Sequence, residues 1–400
     1  MDSAATTRCC SALALATVWL GLLAVVSAQV PTPPSPPVAK SRSGKILPLS
    51  PFPSRTHFTL ALNNQLTAPP AYREGYGYFP IEGDRIVAYE LTHGVQQWIA
   101  SARPKWAPAI GGDLLFISQD DSVTALRTTD GSTAWTIPFP EKLTAAPVWE
   151  RGRLFVLTAS DVRALRPEDG TLVWRQAVSG TRAAPAIDAQ RVYLSLDDGR
   201  VLALRLDTGV QIWERRLGGP PSEILSTDDR LFVGSTDNFL YCLETRDGSI
   251  AWRWRTGADV VSKPVADLDH VYFVSLDNVI RSLNRRNGVQ QWKKPLPFRP
   301  AWPPLKAADT VVVAGISGSL RAFLLKDGAA AGEMVIDPAS EIAAPLHAFT
   351  STVALGPMII VVTRSIAEGA SIVAVSKAIE PTIAPITPLP GIIPITIPKQ

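Results

Sequence analysis

The sequence predicts an all-β fold: an eight-bladed β-propeller of four-stranded antiparallel blades, its ring closed by an N-terminal strand. Three observations lead there. A Gly-x-x-x-Trp pair recurs, short apolar runs parted by turns fill each interval, and a spare strand precedes the first unit. The pairs are Gly94/Trp98, Gly131/Trp135, Gly170/Trp174, Gly209/Trp213, Gly248/Trp252 and Gly288/Trp292. Successive tryptophans lie 37, 39, 39, 39 and 40 residues apart, and six of the chain's 11 tryptophans hold this slot, which excludes chance. Gly328 continues the series without its indole. A tight Asp-Gly, Thr-Gly or Asn-Gly turn needs positive φ at the glycine. An indole offers large apolar area and one N–H that needs an acceptor when buried. Wedging it between blades meets both needs, so these residues are assigned to blade docking.

Each unit repeats one internal order. A Pro-containing segment comes first, as in Ala107-Pro108-Ala109-Ile110 or Ala184-Pro185-Ala186-Ile187. A polar turn and an apolar run follow, at residues 114–117, 154–157, 192–196, 231–233 and 271–274. Then come Asp/Asn/Gly turns, an alternating segment such as Val201-Leu202-Ala203-Leu204, and the Gly turn with its Trp strand. Four such strands fit about 40 residues, and helices of 10–12 residues find no room. Eight units begin near Pro70, Pro108, Pro147, Pro185, Ser222, Pro264, Pro304 and Pro345. The eighth supplies three strands, and residues 56–62 supply the spare one. Closing the ring with that strand removes exposed edges and places the propeller at residues 55–378.

The ends set the compartment. Residues 11–26 form an apolar run after Arg8 that stops at Val26-Ser27-Ala28-Gln29. This predicts a signal peptide (1–28) cleaved after Ala28, with an uncleaved anchor as the alternative. Cys9 and Cys10 precede the run, so neither suits a lipid anchor, and Cys242 is the one cysteine after Ala28. The mature protein is expected in the periplasm or secreted, free of disulfides and of a stable membrane anchor. Residues 29–54 read as a Pro/Ser-rich linker. Residues 379–400 read as a Pro/Ile-rich tail, disordered or docking on a partner. With 46% hydrophobic and 19% charged residues the chain is not disordered throughout, and 35 prolines argue against a helical protein. A net charge of +3 gives no reason to propose nucleic acid.

The phrases Ala125-Leu126-Arg127-Thr128-Thr129-Asp130-Gly131-Ser132-Thr133-Ala134-Trp135 and Ala203-Leu204-Arg205-Leu206-Asp207-Thr208-Gly209-Val210-Gln211-Ile212-Trp213 resemble the tryptophan-docking repeat of quinoprotein-type (PQQ-like) propellers. That family's usual phrase is Ala-Leu-Asp-x-x-Thr-Gly-x-x-x-Trp. Here the Asp place holds Arg127, Arg166, Arg205, Glu244 and Asn284, so the brace that Asp provides must come from elsewhere. The resemblance implies one of two functions. In the dehydrogenase branch a pyrroloquinoline quinone (PQQ) and calcium sit at the hub beneath an adjacent Cys-Cys disulfide. The adjacent pair here, Cys9-Cys10, falls in the predicted signal peptide, and the chain is short for that branch. Calcium needs several convergent oxygens, and Asp267/Asp269 read more simply as solvated turn residues. No cofactor or metal is therefore expected.

The other branch is similar in outline to BamB propellers of the outer-membrane β-barrel assembly machine, and implies a non-catalytic scaffold that binds its partner through interblade loops. The stretch Ala258-Asp259-Val260-Val261-Ser262-Lys263-Pro264 is similar to a partner-contacting loop of that branch. Asp259 matches its first acidic position, Val261 departs from its second, and Arg216 is the counterpart for a contacting arginine. The plain alternative for both is a solvated loop charge. The branch's lipid-anchor cysteine is missing.

His57, His93, His270 and His347 have no metal-ligand spacing, and no nucleophile elbow, Walker loop or dinucleotide turn occurs. No catalytic residues are assigned. The expected function is an exported, non-enzymatic platform for an envelope protein, with the β-barrel assembly machine as the implied partner. Two alternatives stand: a PQQ-dependent dehydrogenase-like oxidoreductase, and a periplasmic small-molecule or glycan binder using the funnel mouth.

Overall fold

The computed structural model describes residues 51–181, 183–350 and 357–378. The predicted signal peptide and tail and most of the predicted linker lie outside the described residues.

The described chain contains strands and turns and no helix. Seven four-stranded antiparallel sheets follow one another along the chain, strands in sequence order within each. Blade 4 shows the plan: Ala186–Ile187, Arg191–Ser195, Arg200–Arg205 and Gln211–Arg216. First strands are short where a proline that cannot donate to the ladder precedes them, as before Ala71–Arg73 and Val265–Ala266, whereas that of blade 5 takes in its proline and runs Pro221–Ser226. They approach the first strands of neighbouring blades, as Ala71–Arg73 does Ala109–Gly111, and so surround the hub. Second and third strands carry the core; Tyr193, Phe232 and Tyr272 there are wholly buried. Fourth strands alternate between exposed and covered residues, the mark of an outer edge with one packed face.

The eighth sheet closes the ring. Ser54–Ala61 pairs antiparallel with Gly369–Lys377, from Ser54 opposite Lys377 to Ala61 opposite Ser371. Its register shifts once, between Thr56 and Phe58. Gly369–Lys377 pairs with Pro357–Ser365, whose other edge takes two short strands, Glu341–Ile342 and His347–Thr350. Those two share one position, interrupted by Ala343-Ala344-Pro345-Leu346, where the proline breaks the pairing. The first and last parts of the described chain thus share one sheet.

Candidate functional site

The docking residues form one ladder per blade. In blade 4 Ala203 stands opposite both Tyr193 and Trp213, and this small residue lets the two rings approach to 5.9 Å. Phe155–Ala164–Trp174 and Tyr272–Ser282–Trp292 repeat it, with rings 6.0 Å and 5.8 Å apart. The sequence reading did not single out these second-strand aromatics, although they recur at the tryptophan spacing.

Each indole then reaches the next blade. Trp98 Nε1 donates to the Thr128 carbonyl (2.8 Å), Trp135 to Pro167 (2.9 Å) and Trp174 to Leu206 (2.9 Å). Trp213 donates to Thr245 (2.9 Å), Trp252 to Arg285 (3.0 Å) and Trp292 to Leu325 (2.9 Å). The ring lies flat on the next blade's glycine: a Cβ on Gly209 would sit 2.4 Å from Trp174, and one on Gly248 2.5 Å from Trp213. Gly131 and Gly288 receive the preceding indole in the same way and Gly328 receives Trp292, while at Gly170 the Ile137 side chain lies closest, with the Trp135 ring beside it.

Two slots lack tryptophan, and the N-terminal segment serves both. Phe58 stands opposite Ala374, the register of a docking indole, and packs on Gly94 of blade 1. In blade 7 Gly332 holds that register opposite Ala322. The ring of Phe52, only 5% exposed, lies where a Gly332 side chain would be. The turn brace has moved as well. Asp130, Asp169, Asp247 and Asp327, each just before the glycine, accept from the backbone N–H two residues on.

The two candidate contact residues share the rim of blade-to-blade connections. Arg216 ends the outer strand of blade 4 and is exposed. Asp259 lies in the connection from blade 5 to blade 6, where its carbonyl accepts from Leu276 N (2.9 Å) and Val260 N donates to Ser235 O (3.2 Å). These bonds hold the loop against both blades, leaving Val261 47% exposed.

At the hub Tyr72 and His347 stack at 4.2 Å with planes 5° apart, beside Phe349. Burial brings the His347 imidazole down to about 4, so it is neutral at physiological pH. Tyr72 Oη is buried without a hydrogen-bond partner, and burial raises its phenol. Burial also pushes the Cys242 thiol up to about 12, which removes it as a nucleophile. Asp267 corrects the expectation of a solvated turn charge. It is partly buried, accepting from Tyr272 Oη (2.7 Å) and from the Asp269 and His270 N–H groups. Among the described residues no three His, Cys, Asp or Glu side chains converge as a metal-holding group.

Closed sheets docked by indoles on glycines define a propeller of the PQQ-like class. Residues 82–225 and 217–378 match the family described as outer membrane protein assembly factor BamB. The chain belongs to that family. No curated protein matches it. Among solved structures, BamB from Moraxella catarrhalis is similar at 18% identity and TM-score 0.65, covering 80% of this chain and 99% of that one. The quinohemoprotein alcohol dehydrogenase ADHIIG from Pseudomonas putida HK5 is similar at 11% identity and TM-score 0.65, covering 81% and 76%. A europium-containing methanol dehydrogenase follows at 12% identity and TM-score 0.64, covering 81% and 93%. At these identities the structural likenesses speak for the fold.

Proposed function

We propose that this protein is an exported, non-catalytic scaffold in outer-membrane protein assembly, with the rim of blade-to-blade connections as its contact face. The family match over residues 82–378 carries the reading. The pinned loop at Asp259 and the exposed Arg216 support that face, since a contact surface that is already ordered loses little entropy on binding. The hub strands carry the rings of Tyr72, Trp149, His347 and Phe349 together with the carboxylates of Glu150, Glu223 and Glu341. Among the described residues no three such oxygen donors converge as the several ligands calcium needs, which favours a scaffold.

The test places photocrosslinking residues at Arg216 and Val261 in cells of the native envelope. The expected product joins this chain to the barrel subunit of the assembly machine. Arg216→Glu and Asp259→Lys, introduced with a crosslinker at Val261, should reduce it several-fold at unchanged Tm. Absence of that product, or dye-linked dehydrogenase activity with added quinone and calcium, would overturn the proposal.

A further inference from the structure

We propose that a cleft between blades 3 and 4, on the rim opposite the blade-to-blade connections, binds an acidic peptide segment of a partner protein. The cleft encloses about 580 Å³, within the range of ligand sites. Arg151, Arg153, Arg191 and Arg205 line it, with Asp207 as the lining carboxylate and Ile212 at its side.

The ladder does not require arginines facing each other. Arg191 stands directly opposite Arg205 in the ladder, and facing like charges destabilise a strand pair. Blade 5 shows what the same position accepts: there Arg230 faces Glu244, and the two form an ion pair. Blade 3 again has two arginines at this level, Arg153 and Arg166, one step beyond the Leu154–Leu165 pair. The departure from the family's Asp therefore concentrates positive charge in adjoining blades.

Local carboxylates leave that charge only partly answered. Asp207 takes Arg205 in a bidentate pair at 3.0 and 2.8 Å. Arg191 comes no nearer than 3.8 Å to Asp188, which already accepts from Tyr193 Oη and the Gln190 and Arg191 N–H groups. Arg191 Nε is buried with no acceptor. Arg153 stands opposite Glu150 in the ladder but donates to the Gly152 carbonyl (3.0 Å), and Arg151 lies 3.8 Å from the same Glu150. Guanidinium forks match carboxylates bidentately, so an Asp or Glu side chain would satisfy the donors left over. Ile212, 41% exposed beside them, favours a peptide with an apolar neighbour over a bare anion.

The site is independent of the assembly role, so its test stands apart from the crosslinking. A fluorescent peptide of alternating Glu and Leu is titrated against the full chain at low and high salt. A Lys/Leu peptide and inorganic phosphate serve as competitors. The expected result is saturable binding that weakens with salt and is displaced by neither competitor. Arg205→Glu, which copies the carboxylate of blade 5, and Arg153→Gln should each weaken it on the order of tenfold with no loss of Tm. Should Arg205→Glu fail to fold, Arg153→Gln decides. No saturable binding, equal binding by the variants, or displacement by phosphate at the peptide's own concentration would overturn the proposal.

Discussion

The docking reasoning is tested most sharply by a double-mutant cycle on Trp213 and Gly248. Trp213 is 8% exposed, donates to the Thr245 carbonyl at 2.9 Å and lies against Gly248. Trp213→Ala should cost about 3–5 kcal/mol, the range for emptying a large core site. Gly248 has φ +67°, and an added Cβ would sit 2.5 Å from Trp213 Cε3. Gly248→Ala should therefore cost about 1 kcal/mol for the left-handed backbone, plus about 1–3 kcal/mol for overpacking. Only the second part depends on the indole. In the Trp213→Ala background it should vanish, leaving about 1 kcal/mol and a coupling of about 1–3 kcal/mol. Urea unfolding of the four proteins, with Tm from calorimetry, measures each corner. If the two substitutions add to within about 0.5 kcal/mol, the ring does not rest on the glycine and the account of docking is wrong.

Three further outcomes are expected. Phe52→Ala should lower stability by about 3–5 kcal/mol, read as a drop in Tm; an unchanged Tm would mean that the N-terminal segment does not fill the blade 7 slot. Asp161 is fully buried, and burial alone would raise its carboxyl. Hydrogen bonds from Arg163 (2.8 Å), Thr158 (3.0 Å) and Arg175 (2.5 Å) outweigh this and hold it below the usual carboxylate range. Its contribution is therefore complete above an unfolded value of about 3.9 and is lost as pH falls through the lower folded value. Asp161→Asn should cost about 3–5 kcal/mol near pH 7, with the gap to the parent narrowing in acid unfolding curves. Cys242, its thiol pushed up to about 12, should resist iodoacetamide at pH 8 in the folded protein and react in urea, as read by peptide mass spectrometry.

What the sequence revealed, and what it hid, follows from the range of each interaction. A Gly turn and its Trp are four residues apart, so the repeat shows in any window of about 40 residues, and blade number and ring closure follow from counting. The closing strand was legible for the same reason: expected at residues 56–62, it runs Ser54–Ala61. The two substitute plugs were not. Phe52 and Gly332 lie 280 residues apart and meet only because the ring closes, so no local pattern joins them. A trace existed nonetheless, since Gly332 falls four residues after Gly328, where an indole is due, and a missing ring in a close-packed interface demands a replacement. The arginines at the family's Asp place pose the reverse case. Their identity was plain in the sequence, but their meaning waited on register, because Arg191 faces Arg205 only across a folded ladder. Blade 5 supplies the internal control, holding Arg230 opposite Glu244 on the same backbone plan. Opposed arginines on that plan are thus not a packing requirement; Asp207 and Asp188 offset part of the repulsion from within the chain, and the remainder is what an acidic partner would answer.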